Sequence, residues 1–479
     1  ELKRKAPNAH TFLEIIRARY GNGSHKVFLV FALMTNMIVT AMLLLGGSAV
    51  VNGLTGMDIS LAAFLIPIGV MIYTLVGGLK ATFVADYMHT IIIFVTILTF
   101  VGAVYINTDI TGGVEGMYDK LVLAAQINPV EGNAAGAFLT MASAGGLMFG
   151  IINIVGNFGT VFVDQAYWQR AIAAKPSSTV KGFLLGGACW FAIPFTLATT
   201  MGLTAIALDV DLTAQQAQMG LVVPAAATAL MGEVGAIMVL TMLFMAVTSA
   251  GSAELIAVSS LVTYDLYRTY SNPNATGKQL VKVSRATIVA FGLGMGGLAV
   301  VLLGMGLSLG FVYLAMGILI GSAVVPIALT ILWKRTNRVA ATAGAIIGLL
   351  ISTSTWVAVA ASLPEYGGVV DLASLGHNYS MLFANIAGII SGGVIAIIGS
   401  LAVKSTFNWS DLKDKITLVE MSAAAAAEVT EDEETLKKAF KFSVRGGGLM
   451  TLVLIIVWPM PLIASGYVFE LGSYGVWVA

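Results

Sequence analysis

The chain has 479 residues, of which 58% are hydrophobic and 10% are charged. Soluble domains carry about 45–50% apolar and about 25% charged residues, so this composition indicates a polytopic membrane protein and excludes a soluble globular enzyme. The 25 basic and 25 acidic residues balance, which leaves no basic surface for nucleic acid. The single cysteine, Cys189, excludes a disulfide framework, and the four histidines show no metal-ligand spacing.

Eleven stretches are long and apolar enough to cross a hydrocarbon core of about 30 Å, which takes about 20 residues in a helix. In chain order they lie at about 27–53, 58–77, 82–105, 138–163, 179–207, 234–264, 282–303, 309–333, 340–362, 381–403 and 448–470. The chain is therefore predicted to be all-α, a single transmembrane domain over residues 1–479 that ends in an extra C-terminal transmembrane helix within residues 448–479.

The basic residues predict the orientation of this bundle. Of the 25 lysines and arginines, 24 lie before the first run or in alternate loops, and only Lys120 lies in the other set of loops. Loops rich in Lys and Arg stay in the cytoplasm. We therefore expect Glu1 on the cytoplasmic side and Ala479 outside.

Two loops are long. Residues 106–137 face outward and are polar and glycine-rich, which is compatible with a gate or a cap. Residues 404–447 face the cytoplasm and hold an alanine run, Ala423–Ala427, followed by four acidic residues. We interpret this loop as a solvated linker, with a regulatory role as the alternative. The chain opens without Met in a charged juxtamembrane stretch, so we expect a fragment whose earlier helices are missing.

Ionisable side chains at membrane depth are costly and are therefore functional candidates. Glu254 lies on the sixth run, about eleven residues or 16 Å from Asp265 at its inner end, and so near the midplane. Asp86 and His89 are spaced i,i+3 on one face of the third run. These three residues are candidate proton or cation sites. The alternative for each is a hydrogen bond that only joins neighbouring helices.

Residues 246–254 combine small and hydroxyl side chains with Glu254 at mid-depth. Small residues let helices approach closely, so packing explains part of this composition. Packing needs neither a carboxylate nor several hydroxyls, whereas a small cation needs such oxygens in place of its water shell. Ala246, Ser249 and Ser252 are therefore added to the candidate cation site.

A polar face follows the fourth run, where Asn153, Asn157, Thr160 and Asp164 are spaced by four, three and four residues. Carboxamides donate and accept hydrogen bonds, so this face fits a small neutral polar solute; interhelical hydrogen bonding is the alternative. The surrounding glycines predict a locally broken helix, as transporters use at midplane sites. Those glycines are Gly145, Gly146, Gly150, Gly156 and Gly159.

The first and fifth runs add weaker candidates. Asn36 and Thr40 repeat the polar pattern on the first run. Trp190, at mid-depth on the fifth run, fits stacking on a flat substrate, although core packing is the commoner role of such a residue. Asn153, Asn157, Thr160 and Trp190 are the predicted substrate residues.

Three segments resemble the sodium/solute symporter family, whose fold is a LeuT-type inverted repeat. The first is YTLVGGL at residues 73–79, which leads to Asp86. The second runs from Asp164-Gln165 through Gln169-Arg170 to Lys175. The third runs from Ala246 and Ser249 to Asp265-Leu266-Tyr267. The resemblance covers nearly the whole chain and implies a LeuT-type helical bundle whose first two core helices precede residue 1.

Within this family, residues 77–90, 7–12 and 249–260 resemble the urea active transporters of fungi and plants. That resemblance implies symport of urea with a coupling cation across the plasma membrane or a related membrane, by alternating access. It implies no organic cofactor and no enzyme activity, with urea and membrane lipid as the partners. The alternatives are a passive urea channel, a symporter for another small polar solute, and a nutrient sensor.

The resemblance also assigns roles to individual positions. It places a sodium ion between the Ala246 carbonyl and the Ser249 hydroxyl, but Ala250 stands where the family has a second hydroxyl. It places Asp86 with Ser249 and Ser252 around a further cation. Because a sodium ligand is missing while Asp86, His89 and Glu254 can titrate, we favour a proton over sodium as the coupling cation. Asn157 matches a substrate-contacting position, and Thr160 replaces a gating aromatic residue.

Overall fold

A computed structural model describes residues 1–403, 405–416 and 431–479. These residues are almost entirely helical and contain two isolated β-bridges but no strand. The main helices are α1 (Phe12–Thr55), α2 (Ile59–Val101), α3 (Gly113–Ile127), α4 (Ala144–Val163), α5 (Gln165–Ala173), α6 (Pro176–Leu197), α7 (Val222–Ser260), α8 (Gly277–Gly304), α9 (Leu309–Leu332), α10 (Arg338–Ser362), α11 (Asn378–Ala402), α12 (Glu433–Thr451) and α13 (Leu471–Val478).

Shorter helical pieces extend or connect these helices. The π-helical pieces are Gly102–Ile106, Ala198–Gly202, Leu261–Ser271 and Leu452–Val457, which continue α2, α6, α7 and α12. The short α-helical pieces are Leu2–Lys5, Leu203–Ala207, Ala214–Gln218, Leu372–Gly376, Asp411–Lys415 and Pro459–Ala464, and the 3₁₀ turns are Ala134–Gly136 and Pro364–Tyr366.

Ten segments of the described residues are long and apolar enough to cross a membrane, one fewer than the eleven runs expected from sequence. The difference lies in Ile59–Ile106, which contains two predicted runs and leaves helical geometry at Gly78. Tyr73 donates to the Thr248 carbonyl at 3.3 Å, and Asp86 accepts from the neighbouring Ser249 at 2.5 Å. A straight helix would separate Tyr73 from Asp86 by about 20 Å, so the chain reverses at Gly78.

Two other long helices also contain a reversal. His10 stacks on Tyr264 with ring centroids 4.5 Å apart, while the His25 ring lies 2.8 Å from the next residue, Asp265. Residues 12–20 therefore fold back at Gly21, which has a φ of 79°. In α7 the reversal is at Gly232. The part of α7 that is long enough to cross a membrane begins just after this glycine, close to residue 234, where the sixth apolar run is predicted to start.

Contacts at the two ends of the bundle separate the first residues of the chain from the last ones. Tyr105 at the end of α2 lies 3.1 Å from Tyr474 of α13, hydroxyl to hydroxyl, and α3 packs in the same apolar cluster. At the opposite end, the Lys5 ammonium donates to the Ile331 carbonyl at 2.6 Å and lies over the Trp409 ring. The first residues of the chain and the last ones thus lie at opposite ends, and the loop 106–137, which we expect to face outward, contains the helix α3.

The helix that contains the last apolar run starts before residue 448, so residues 433–447 of the predicted linker 404–447 are helical. α12 begins at Glu433, where Asp432 caps the helix by accepting from the Thr435 amide at 2.6 Å. Acidic residues in a first helical turn and Glu–Lys pairs at i,i+4 stabilise helices, and Glu434 pairs with Lys438 at 2.8 Å. The helix therefore extends beyond the apolar run. The alanine run lies outside the described residues.

Helices α9, α10 and α11 pack through small residues. A Cβ atom added at Gly392 would lie 2.2 Å from the Ser322 carbonyl oxygen, and one added at Gly344 would lie 2.6 Å from the Gly392 carbonyl oxygen. Such contacts allow the backbones of membrane helices to touch. One of these helices, α9, also packs against α4 and α1.

The reversal at Gly78 gives a direct test. With φ 58° and ψ −165°, Gly78 has a backbone that side chains avoid, although nothing lies within 4 Å of its added Cβ. We expect Gly78→Ala to cost about 1–3 kcal/mol and to lower the melting temperature of the protein in detergent. Gly69→Ala, in the same helix with nothing within 4 Å of its added Cβ, is the control. Equal melting of the two variants would contradict the reversal.

Candidate functional site

Asp86 lies in an ion pair with Arg170 of α5 and also accepts from the Ser249 hydroxyl at 2.5 Å. The two charged side chains are 18% and 24% exposed. The guanidinium group of Arg170 also lies 5.3 Å from the Phe83 ring centroid. The predicted approach of Asp86 to Ser249 is present, and a guanidinium group supplies the positive charge beside it.

A second polar group joins three different helices. Asn36 of α1 donates through Nδ2 to Asp164 at 2.7 Å and to Glu254 at 2.6 Å. Asn36 and Asp164 are fully buried and Glu254 is 4% exposed. Glu254 lies about midway along the helical segment of residues 233–271. The two carboxyl groups therefore meet at one uncharged amide in the bundle interior.

Asp164 is also where the helix breaks. α4 runs without interruption through the glycines that were expected to break it, and two of these pack against α9: an added Cβ would lie 3.1 Å from Met316 at Gly156 and 2.7 Å from Ile320 at Gly159. The prediction of a break inside the glycine run is wrong. The interruption comes at Asp164, with ψ 123°, where the carboxylate caps α5 by accepting from the Ala166 amide at 2.7 Å.

The motif that follows the break ties α5 to its neighbours. Gln165 donates to the His10 carbonyl at 3.1 Å, and Gln169 accepts from the Ser260 hydroxyl at 3.2 Å. Together with Arg170 and Asp164, these side chains contact α1, α2 and α7. The motif therefore fixes the position of α5 directly beside the carboxyl groups.

The predicted substrate face of α4 meets a tyrosine of α9. The Tyr313 hydroxyl donates to Asn153 Oδ1 at 2.5 Å and also lies within reach of the Asn157 side chain. Thr160 is buried and donates to the Asn157 carbonyl at 2.9 Å. Tyr167 of α5 lies near Thr160, Asp164 and Glu254. Polar side chains thus follow one side of α4 from Asn153 to Asp164.

The structure does not bring every predicted residue to this group. Trp190 is 61% exposed on α6, a helix without buried residues, so it lies apart from the α4 face. Ala246 is exposed, and Ser252 is fully buried and donates back to the Ser249 carbonyl at 2.9 Å. His89 Nδ1 has no hydrogen-bond partner among the residues that the structure describes. The roles of these four residues stay predictions.

Four residues of the site were not predicted as such from the sequence. Asn36 was only a weaker candidate, and Arg170, Tyr167 and Tyr313 were not named as site residues. Asn36 was noted only as part of a weak pattern, although a carboxamide in an apolar run is itself a signal. Arg170 stood out only within a motif. Tyr313 follows the glycine-rich start of α9, and no spacing in the sequence points to it.

Comparison with known proteins gives the family and the fold. Residues 3–348 match the sodium:solute symporter family. A solved structure of a Na⁺-coupled sialic acid symporter, in a substrate-bound outward-open state, matches with a TM-score of 0.62 at 17% identity, over 83% of this chain and 78% of that one. The predicted LeuT-type fold of an integral membrane protein is thereby confirmed.

Closer relatives are transporters named for urea. The urea-proton symporter DUR3 of Oryza sativa subsp. japonica is 52% identical over 495 residues, which cover 100% of this chain and 68% of the rice protein. Probable urea active transporter 1 of Schizosaccharomyces pombe is 44% identical over 100% of this chain and 73% of its own length. The urea active transporter of Saccharomyces cerevisiae is 44% identical over 88% of this chain and 58% of its own length.

The ion pair of Asp86 and Arg170 can be tested by stability. Removing one partner leaves a half-buried charge unpaired, whereas removing both does not. We expect Arg170→Gln to cost about 1–2 kcal/mol, less than the about 3–5 kcal/mol of a fully buried pair, because both side chains reach solvent. The double variant Asp86→Asn/Arg170→Gln should recover at least half of the loss of melting temperature.

The control for this stability test is Lys181→Gln, at an exposed position of α6. It should melt like the unaltered protein. Equal melting temperatures for the single and the double variant would show that Arg170 does not neutralise Asp86.

Proposed function

Because this chain belongs to the sodium:solute symporter family, we propose that it imports urea with a coupling cation, by alternating access, in the plasma membrane or a related membrane. The observation that carries the proposal is its 52% identity, over its whole length, to a protein named a urea-proton symporter. The other relatives that match the full chain at 44% and 37% identity are also named urea transporters.

The chemistry of the α4 face supports urea as the substrate. Urea is planar and neutral, with one carbonyl oxygen and two amino groups. Asn153, Asn157 and Tyr313 offer carboxamide and hydroxyl groups that donate and accept hydrogen bonds without carrying charge. Another small polar solute with the same groups is the alternative substrate.

Several features favour a proton over sodium as the coupling cation. The Ser249 hydroxyl is already bonded to Asp86, whose charge is matched by Arg170. The next position, Ala250, has no hydroxyl to offer a sodium ion. Glu254, by contrast, is buried against an uncharged amide. A carboxyl group in such a place can load and release a proton.

A passive urea channel is the rival from another class. A channel needs a continuous pore lining and gains nothing from two carboxyl groups buried at mid-depth. Uptake of urea against its gradient, abolished by an uncoupler of the proton gradient, supports the symporter. Uptake that stops when the urea concentrations on the two sides are equal, and that the uncoupler does not change, would identify a channel.

The coupling cation can be identified by ion replacement. We expect uptake of labelled urea to persist when choline replaces sodium, and to be faster at about pH 5 than at about pH 8, because acid loads the carboxyl groups. The measurement is initial uptake into cells or vesicles that contain the protein, against matched vesicles without it. Uptake that disappears in choline would overturn proton coupling while leaving urea as the substrate.

The substrate face can be tested at Asn157. Removing its carboxamide deletes one or two hydrogen bonds to a solute that has few others, so Asn157→Leu should raise the KM for urea about fivefold to tenfold. Ile154→Ala, one turn away at a 48% exposed position, is the matched control and should leave the KM unchanged. An unchanged KM in Asn157→Leu would remove this residue from the urea site.

A further inference from the structure

Two carboxyl groups and one amide form a compact group inside the bundle. The Asp164 and Glu254 oxygens both accept from Asn36 Nδ2, at 2.7 Å and 2.6 Å, so these oxygens lie no more than about 5 Å apart. We infer that Asp164 and Glu254 hold one proton between them, that Asn36 keeps the pair together, and that this shared proton is the coupling proton. The inference rests on the proposed proton-coupled transport of urea.

The count of charges supports a bound proton. Three carboxyl groups, those of Asp86, Asp164 and Glu254, lie around a single guanidinium group. Arg170 pairs with Asp86, and no basic side chain among the described residues forms an ion pair with Asp164 or Glu254. Two unpaired negative charges this close in a dry interior repel strongly, so the pair is stable only when one proton neutralises one of its members.

The count of hydrogen-bond donors leads to the same conclusion. Asp164 Oδ2 and Asn36 Oδ1 are buried and have no donor among the described residues. Buried polar atoms are normally hydrogen-bonded, and an ionised carboxylate only accepts. A proton on either carboxyl group adds the donor that this group lacks. Asn36 cannot supply it, because both hydrogens of its amide are already used.

The other groups that face the pair leave it free to take up a proton. Tyr167 of α5 lies near both carboxyl groups and near Tyr313 of α9. Arg170, also on α5, is the nearest cation but is held by Asp86 of α2. On α1 the facing group is the uncharged Asn36. Among the described residues that face this group, Asp164 and Glu254 therefore combine burial with an ionisable carboxyl group and no cationic partner.

The position of the pair gives the shared proton a mechanical consequence. Asp164 is the break between α4 and α5, Glu254 is at mid-depth on α7, and Asn36 is on α1. With the proton present, the pair joins these helices; without it, repulsion separates α7 from the break. Because α4 also carries the amide face for urea, loading the proton and closing the urea site become coupled.

The test separates exchange of urea from its accumulation. In Glu254→Gln and Asp164→Asn the amides imitate a permanently protonated pair. We expect exchange of labelled urea across vesicles without a pH gradient to stay within about threefold of the unaltered protein, whereas accumulation driven by a pH gradient falls more than about tenfold. Glu233→Gln, at an exposed position on α7, is the control and should accumulate normally.

Conservative variants separate loss of the proton from loss of shape. Glu254→Asp and Asp164→Glu keep a titrating carboxyl group, and each should accumulate more urea than its amide counterpart, even if an amide variant reaches the membrane poorly. Full accumulation driven by a pH gradient in Glu254→Gln and Asp164→Asn would overturn the shared proton while leaving proton-coupled urea transport intact. Absence of any urea flux in the unaltered protein would instead overturn the proposed function.

Discussion

The arrangement of this bundle depends on the cost of placing charge where water does not reach. Moving one charged side chain to the centre of a membrane helix costs about 2.5–3.5 kcal/mol even by the most lenient scale. The protein meets that cost differently at its two polar groups. Asp86 has a guanidinium partner, whereas Asp164 and Glu254 accept only from uncharged amides, the side chain of Asn36 and, for Asp164, also the backbone of Ala166. The charges of the first group balance, whereas one shared proton would leave the second group with one negative charge instead of two.

The course of the chain through the membrane could be predicted because the signals for it are local. Runs of apolar residues and the alternation of basic loops depend on neighbouring residues alone, and they placed a cytoplasmic turn at Lys80 beside the reversal at Gly78. The ends of helices were harder to predict. α12 starts well before its apolar run because an acidic cap and Glu–Lys pairs extend it, and no hydropathy average contains that information.

The site was predictable on one helix and not across helices. A helical repeat of four, three and four residues put Asn153, Asn157, Thr160 and Asp164 on one side of a predicted helix. Their partners come from distant parts of the chain: Asn36 lies 128 residues from Asp164, and Tyr313 lies 160 residues from Asn153. No spacing rule connects such positions. The glycines of α4 led to the wrong prediction of a broken helix for the same reason. They allow close packing against α9, and such a contact between two helices cannot be predicted from the sequence of one of them.

A proton also needs fewer fixed ligands from the protein than a sodium ion does. Sodium needs several oxygen atoms held at fixed distances, so one missing hydroxyl, as at Ala250, weakens the whole cage. A proton needs one acceptor oxygen and a dry surrounding, and a second carboxyl group nearby is enough to adjust its affinity. A symporter fold can therefore use a proton in place of the ion where two buried acids lie beside a helix break. In this chain Glu254 and Asp164 stand in that relation, with the amide of Asn36 between them.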